Sequence, residues 1–100
     1  MNPFELLKNA GQMKEQLSKV QEEIKNIVVE GSSGGKMVSV KLNGAFELLD
    51  IKLDPICVDN RDVKMLEDLI VAAHRDALQK IQEELKGKTN SLVSGLNLSL

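Results

Sequence analysis

The chain has 100 residues, enough for one small domain and too few for two. Its 13 basic and 15 acidic residues give a formal net charge of −2, which argues against a protein that is basic over its whole surface. A single cysteine excludes a disulfide within the chain, and no apolar run approaches the ~20 residues that span a bilayer, so we expect a soluble, cytoplasmic protein without membrane contact.

The first predicted element is a long amphipathic helix that begins at Pro3, with Asn2 as its cap. Its apolar residues follow steps of four and three, the heptad spacing of a helix packed along a narrow stripe. This heptad seam consists of Leu6, Ala10, Met13, Leu17, Val20, Ile24 and Ile27. At ~1.5 Å per residue the helix is roughly 35 Å long, more than a compact domain of this size can cover. A second copy of the chain is therefore expected to cover the seam.

Three short runs of strand-forming residues follow the helix. They predict an antiparallel sheet with strands at residues 27–31, 37–42 and 45–53. Asn43-Gly44 predicts a hairpin with a type I′ turn, in which both residues have positive φ. The apolar phase slips between Leu48 and Leu49, which predicts either a β-bulge or burial on both faces of the strand.

The stretch GSSGGKM at residues 31–37 has the glycines and the lysine of a phosphate-binding loop. Such a loop requires G-x-x-x-x-G-K, then Ser or Thr, and then a helix. Here the spacing is one residue short, Met37 occupies the hydroxyl position, and a strand follows. We therefore interpret the stretch as a turn between two antiparallel strands, where glycine tolerates positive φ.

A second long helix is predicted to begin after Asp62, which can cap it, and to end at Gly87. Its apolar face consists of Val63, Leu66, Leu69, Ile70, Ala73, Ala77, Ile81 and Leu85. Residues 91–100 have isolated leucines among turn-forming residues and are predicted to be a flexible tail, which leaves one domain at residues 1–90. The predicted fold class is α+β, in the order α-β-β-β-α, with a three-stranded antiparallel sheet.

No constellation of residues in the sequence indicates catalysis, a metal or a cofactor. His74-Arg75-Asp76 matches three letters of a kinase catalytic loop, but the triplet is mid-helix in a chain too short for a kinase. Cys57 has no nearby histidine or second cysteine. The aspartates at 54, 59 and 62 are expected to end strands and cap helices rather than to bind a cation. We predict a protein that is not an enzyme and that has no cofactor.

Lysines lie on both predicted helices, away from their apolar faces. The candidates for a binding surface are Lys8, Lys14 and Lys19 on the first helix and Lys80, Lys86 and Lys88 near the end of the second. Glutamates are interleaved with these lysines, so the residues alone favour a solvated surface of mixed charge. Two aromatic residues offer little surface for stacking on single-stranded nucleic acid.

The run VEGSSGGKMVSVKLNGAFELLDIKLDP, followed by MLEDLIVAAHRDALQKIQEE, resembles the YbaB/EbfC family of bacterial nucleoid-associated proteins. The resemblance covers residues 4–90 and rests on the order and spacing of the long helix, the glycine turn, the NG-strand-DP unit and the second helix. It implies a homodimer whose helices project like the arms of tweezers. It also implies binding to double-stranded DNA in the cytoplasm, at the nucleoid, to organise the nucleoid or to regulate gene expression.

The same resemblance implies that DNA contacts fall on the projecting helices, and hence on the six lysines named above. The mechanism would be neutralisation of phosphates with little reading of bases. This chain departs from the family pattern at Arg75, where asparagine is often found, and in its tail, which lacks a Met/Pro/Gly-rich ending. The alternative is a dimeric scaffold that binds another protein, such as a DNA-maintenance partner, without contacting DNA. A basic stripe would favour DNA, and evenly paired lysines and glutamates would favour the scaffold.

Overall fold

A computed structural model describes the backbone of residues 2–98 and the side chains of residues 2–88. The chain forms a long helix, three strands, a short 3-10 helix and a second long helix. In order, these are α1 (Pro3–Lys25), β1 (Val28–Ser33), β2 (Val38–Asn43), β3 (Leu48–Leu53), the 3-10 helix Pro55–Cys57 and α2 (Val63–Leu98). The predicted fold class and the order α-β-β-β-α are confirmed.

Helix α1 begins as its sequence predicts and projects from the sheet. The side chain of Asn2 accepts a hydrogen bond from the N–H of Phe4 at 3.1 Å. No residue from Pro3 to Lys25 is buried, and the seam residues Met13 and Leu17 are more than half exposed. The radius of gyration is 20.0 Å, whereas a compact chain of this length has about 13 Å. The part of the heptad seam from Leu6 to Leu17 is therefore not covered within a single chain, whereas Val20, Ile24 and Ile27 are partly buried.

The sheet is antiparallel with the strand order β1-β2-β3, and α2 packs on β1 and β2. The buried core comprises Val38, Val40 and Leu42 from β2, Ala73, Ala77 and Ile81 from α2, and Cys57. Strand β3 lies beyond the helix and is exposed along its whole length. Ile51 and Leu53 pair with core residues of β2, so they extend the apolar face of the sheet past the edge of α2.

Strand β3 contains the irregularity that the sequence predicts. Lys41 pairs with Asp50, and the next residue of β2, Leu42, pairs with Leu48. Leu49 is therefore an extra residue without a partner in the register, which is the definition of a β-bulge.

The loop between β2 and β3 is a hairpin connection, but its predicted type I′ geometry is wrong. Neither Asn43 nor Gly44 has positive φ, whereas Phe46 has a φ of 61°. The carboxamide oxygen of Asn43 instead accepts hydrogen bonds from the N–H groups of Ala45 and Glu47, both at 3.0 Å. Asn43 thus closes a longer loop with its side chain, as asparagine often does in turns.

The stretch GSSGGKM is a turn, as predicted. Gly34, Gly35 and Lys36 have φ values of 58°, 66° and 70°, and they connect the paired residues Ser33 and Val38. Glycine adopts this left-handed conformation without steric cost, which explains the glycine pair.

Helix α2 begins as predicted, because the carboxylate of Asp62 accepts the N–H of Met65 at 3.1 Å. The predicted end at Gly87 is wrong, since the helix continues to Leu98. A glycine ends a helix when it adopts positive φ, and Gly87 does not do so. The flexible tail at 91–100 stays a prediction, and residues 99 and 100 lie outside the described residues. Neither described helix has an apolar stretch long enough to span a membrane.

Candidate nucleic-acid interface

The three lysines that the sequence selects on α1 are exposed and lie away from the heptad seam. Lys8 and Lys19 are about three helical turns apart and share one side of the helix, and Lys14 lies roughly 120° around it. Among the described residues, none of the three forms an ion pair. They are therefore available to a ligand while the seam faces elsewhere.

The lysines of α2 have different environments. Lys80 donates a hydrogen bond to the carbonyl oxygen of Glu30 at 3.0 Å, and it pairs with Asp76 at 3.2 Å. Lys88 pairs with Glu23 of α1 at 3.2 Å, with its side chain one-third exposed. Lys86 is exposed. Two of the three lysines that the sequence selected on this helix are thus bonded within the chain.

An open cleft of about 710 Å³ lies between these bonded lysines and the beginning of β1. It is lined by Val29, Glu30, Lys80, Glu83, Glu84, Gly87 and Lys88. Its two lysines and three glutamates give it mixed charge, so it does not form a basic stripe with the lysines of α1.

Asp76 is a residue whose role the sequence analysis missed. It projects from α2 toward the outer edge of β1, where its carboxylate accepts the N–H of Ser32 at 2.9 Å. This hydrogen bond, together with the one from Lys80, lowers the pKa of Asp76. The i,i+4 spacing of Asp76 and Lys80, on the flank of a helix whose alanines face the sheet, was the available signal.

The C-terminal end of α1 is held by contacts around its last turn. The N–H of Gly44 donates to the carbonyl oxygen of Ile27 at 3.0 Å. A Cβ at position 44 would overlap the carbonyl oxygen of Ile24, so glycine is needed here for close approach rather than for positive φ. Lys25 also lies 3.8 Å from Glu47 of the hairpin loop.

The aspartates that the sequence analysis weighed as cation ligands have structural partners. Asp54 accepts the N–H of Ile56, and Asp62 caps α2. Asp59 accepts two hydrogen bonds from the guanidinium of Arg61, which lower its pKa. Within the described part of the chain, no group of three or more His, Cys, Asp or Glu side chains is placed to hold a metal ion.

The sequence and the fold both have relatives. The model of the YbaB/EbfC DNA-binding family matches residues 1–96. A protein named nucleoid-associated protein from Acidobacterium capsulatum is 47% identical, over 98% of this chain and 95% of its own length. A protein of the same name from Dictyoglomus thermophilum is 42% identical, over 97% of this chain and 93% of its own length.

A solved structure agrees with the fold. The crystal structure of the uncharacterized protein HP0035 from Helicobacter pylori superimposes with a TM-score of 0.71 at 26% identity. The match covers 93% of this chain and 98% of that one. The element order, the family match along nearly the whole chain and the curated relatives agree, and the chain belongs to the YbaB/EbfC DNA-binding family.

Proposed function

We propose that the chain is a nucleoid-associated protein that binds double-stranded DNA as a homodimer, mainly through phosphate contacts, and thereby organises the nucleoid or regulates gene expression. The observation that carries this proposal is the exposure of Lys8, Lys14 and Lys19 on α1, none of which has an ion-pair partner among the described residues. Lys86 on α2 adds a fourth exposed cation. Lys80 and Lys88 are weaker candidates because they already bond within the chain.

The homodimer is supported by apolar surface that one chain leaves exposed. The heptad seam of α1 is exposed from Leu6 to Leu17. Leu48, Ile51 and Leu53 of β3 are 55%, 40% and 38% exposed. Ile56, directly after this strand, is 76% exposed. Exposed apolar surface of this kind is typical of an interaction site, and a second copy of the chain would cover both regions through a symmetric interface.

The binding mechanism follows from the chemistry of lysine. Lys8 and Lys19 lie about 16 Å apart along the helix axis, so each would meet a separate phosphate. Binding would release condensed cations from DNA and would weaken steeply as salt rises. Arg61 is held by Asp59, which leaves little arginine for reading guanine in the major groove. We therefore expect weak sequence preference.

A second candidate function is a dimeric protein-interaction scaffold without direct DNA contact. The observation that favours it is the pairing of Lys80 with Asp76 and of Lys88 with Glu23, because paired charges cancel locally. In this case the partner would be another protein, such as one that maintains DNA.

The deciding experiment is fluorescence anisotropy of a labelled DNA duplex at several salt concentrations. For phosphate binding, log affinity falls linearly with log salt, and Lys14→Ala should lower the magnitude of the slope by about 0.9 for each phosphate that is no longer neutralised. Lys64→Ala is the matched control, because Lys64 pairs with Asp68 near the beginning of α2. The control should keep the wild-type slope. No binding at low salt would overturn DNA binding and favour the scaffold.

A further inference from the structure

Two ion pairs lie on opposite sides of the last turn of α1 and connect it to other elements. Glu23 reaches Lys88 of α2 at 3.2 Å, and Lys25 reaches Glu47 of the hairpin loop at 3.8 Å. Two residues apart on a helix correspond to about 200° of rotation, so the two bonds restrain the helix from opposite directions.

The partners of these two pairs are themselves held in place. Glu47 accepts a hydrogen bond from the carboxamide nitrogen of Asn43 at 3.3 Å, and Asn43 is buried at the end of β2. Lys88 is on α2, one turn beyond the half-buried Leu85, which packs against the core. The Lys25–Glu47 pair thus connects α1 to the sheet, and the Glu23–Lys88 pair connects it to α2.

We propose that the Glu23–Lys88 and Lys25–Glu47 pairs set the direction of α1 relative to α2, and that Glu23 therefore promotes DNA binding despite its negative charge. The pairs fix the spacing between the lysines of α1 and Lys86 of α2, which must meet phosphates on one duplex. This inference rests on the proposed function, because it takes the two helices as the surface that binds DNA. It assigns positioning roles to Glu23 and Glu47 and no contact with DNA.

The expected size of the effect is modest. Exposed ion pairs contribute little individually, and the apparent Kd rises as the fraction of molecules with the competent spacing falls. Breaking the Glu23–Lys88 pair should weaken duplex binding by about two- to fivefold. The direction of the change is the informative part, because removing a negative charge from a phosphate-binding surface would by itself strengthen binding.

The experiment compares Glu23→Gln with Glu22→Gln in the anisotropy assay. Glu22 is the neighbouring exposed carboxylate and has no ion pair among the described residues, so its loss should leave affinity equal or slightly higher. Glu23→Gln should weaken binding. If Glu23→Gln binds as tightly as Glu22→Gln, the positioning role is overturned.

A second readout does not depend on DNA. Spin labels on Gln12→Cys in α1 and Gln82→Cys in α2, in labelled chains diluted with unlabelled ones, report the distance between the helices; Cys57 is fully buried. Glu23→Gln should broaden this distribution, and an unchanged distribution would overturn the inference whatever happens to affinity. A wild-type chain that binds no duplex would overturn the proposed function and this role together. A wild-type chain that binds while Glu23→Gln binds equally well overturns this role alone.

Discussion

The two edges of the sheet have opposite surroundings. At the β1 edge, side chains of α2 bond to the backbone of the strand: Asp76 accepts the N–H of Ser32, and Lys80 donates to the carbonyl oxygen of Glu30. At the β3 edge, every residue from Leu48 to Leu53 is exposed. Leu48, Ile51 and Leu53, which pair with core residues of β2, extend the core face into solvent.

In the proposed homodimer, this difference would limit association to two copies. An unprotected edge strand offers backbone donors and acceptors to any other strand, and a chain with two open edges can polymerise. Side chains of α2 occupy backbone groups on one edge of this chain, while the other edge presents apolar surface. A symmetric contact through the β3 side would use that surface in both copies and then stop.

The largest effect should come from forcing β1 away from α2. A Cβ at Gly31 would lie 2.5 Å from the carbonyl oxygen of Ala73 and still closer to the N–H of Ala77. These are backbone atoms, so Gly31→Ala requires the strand or the helix to shift. We expect it to lower the free energy of unfolding by about 3 kcal/mol or more, measured by urea denaturation.

The matched control is the same substitution on the projecting helix. A Cβ at Gly11 of α1 meets no atom within 4 Å, and alanine favours helix over glycine. Gly11→Ala should therefore raise the free energy of unfolding by up to about 1 kcal/mol. Equal effects of the two substitutions would show that β1 is not tightly packed against α2 at Gly31.

The second largest effect is expected at the exposed β3 edge. Ile51 is 40% exposed in the single chain, so Ile51→Lys should cost the fold little, but it would place a charge in the proposed dimer interface. The mass in solution at micromolar concentration, measured by light scattering after size exclusion, should fall from dimer to monomer. Val71→Lys changes a similarly exposed residue of α2 and should leave the mass unchanged. If the Ile51→Lys variant is still a dimer, β3 does not belong to the dimer interface.

Local signals in the sequence predicted most of the fold. The heptad steps with Asn2 and Pro3 predicted the extent of α1. The slip at Leu48 predicted either a bulge or burial on both faces, and the structure has the bulge. Each signal is read within a few residues, where steric preferences dominate. The end of α2 and the turn at Asn43-Gly44 were predicted wrongly because both depend on φ values that the tertiary structure decides. Glycine is required at position 44 because the backbone there lies against Ile24 of α1, a different element.

The candidate site was less predictable for the same reason. The sequence shows where lysines occur, and it places Lys8, Lys14 and Lys19 off the heptad seam. It does not show that Lys80 bonds to Glu30, which is 50 residues away, or that Ser32 bonds to Asp76, 44 residues away. Such contacts arise when a helix packs over a strand edge, and neither partner carries a local signal of the other.

The smallest expected effect is a pH dependence of stability. It tests the hydrogen bonds that Asp76 accepts at the β1 edge. The N–H of Ser32 and the ammonium of Lys80 lower the pKa of Asp76 in the folded chain, so the ionised carboxylate stabilises the fold above its ordinary pKa. This contribution is lost as pH falls through the lowered pKa. Asp76→Asn should therefore destabilise the protein at neutral pH, and the difference from wild type should shrink below about pH 4.

The control for this pH dependence is Asp59→Asn. Asp59 also has a lowered pKa, but its partner Arg61 is two residues away in the same loop and joins no separate elements. Both variants should lose a pH-dependent contribution to stability in urea denaturation, whereas Asp76→Asn alone should speed amide hydrogen exchange at Ser32, because it replaces a charged acceptor by a neutral one. Unchanged exchange at Ser32 would mean that Asp76 stabilises α2 locally, through Lys80, and that packing at Gly31 closes the β1 edge without it.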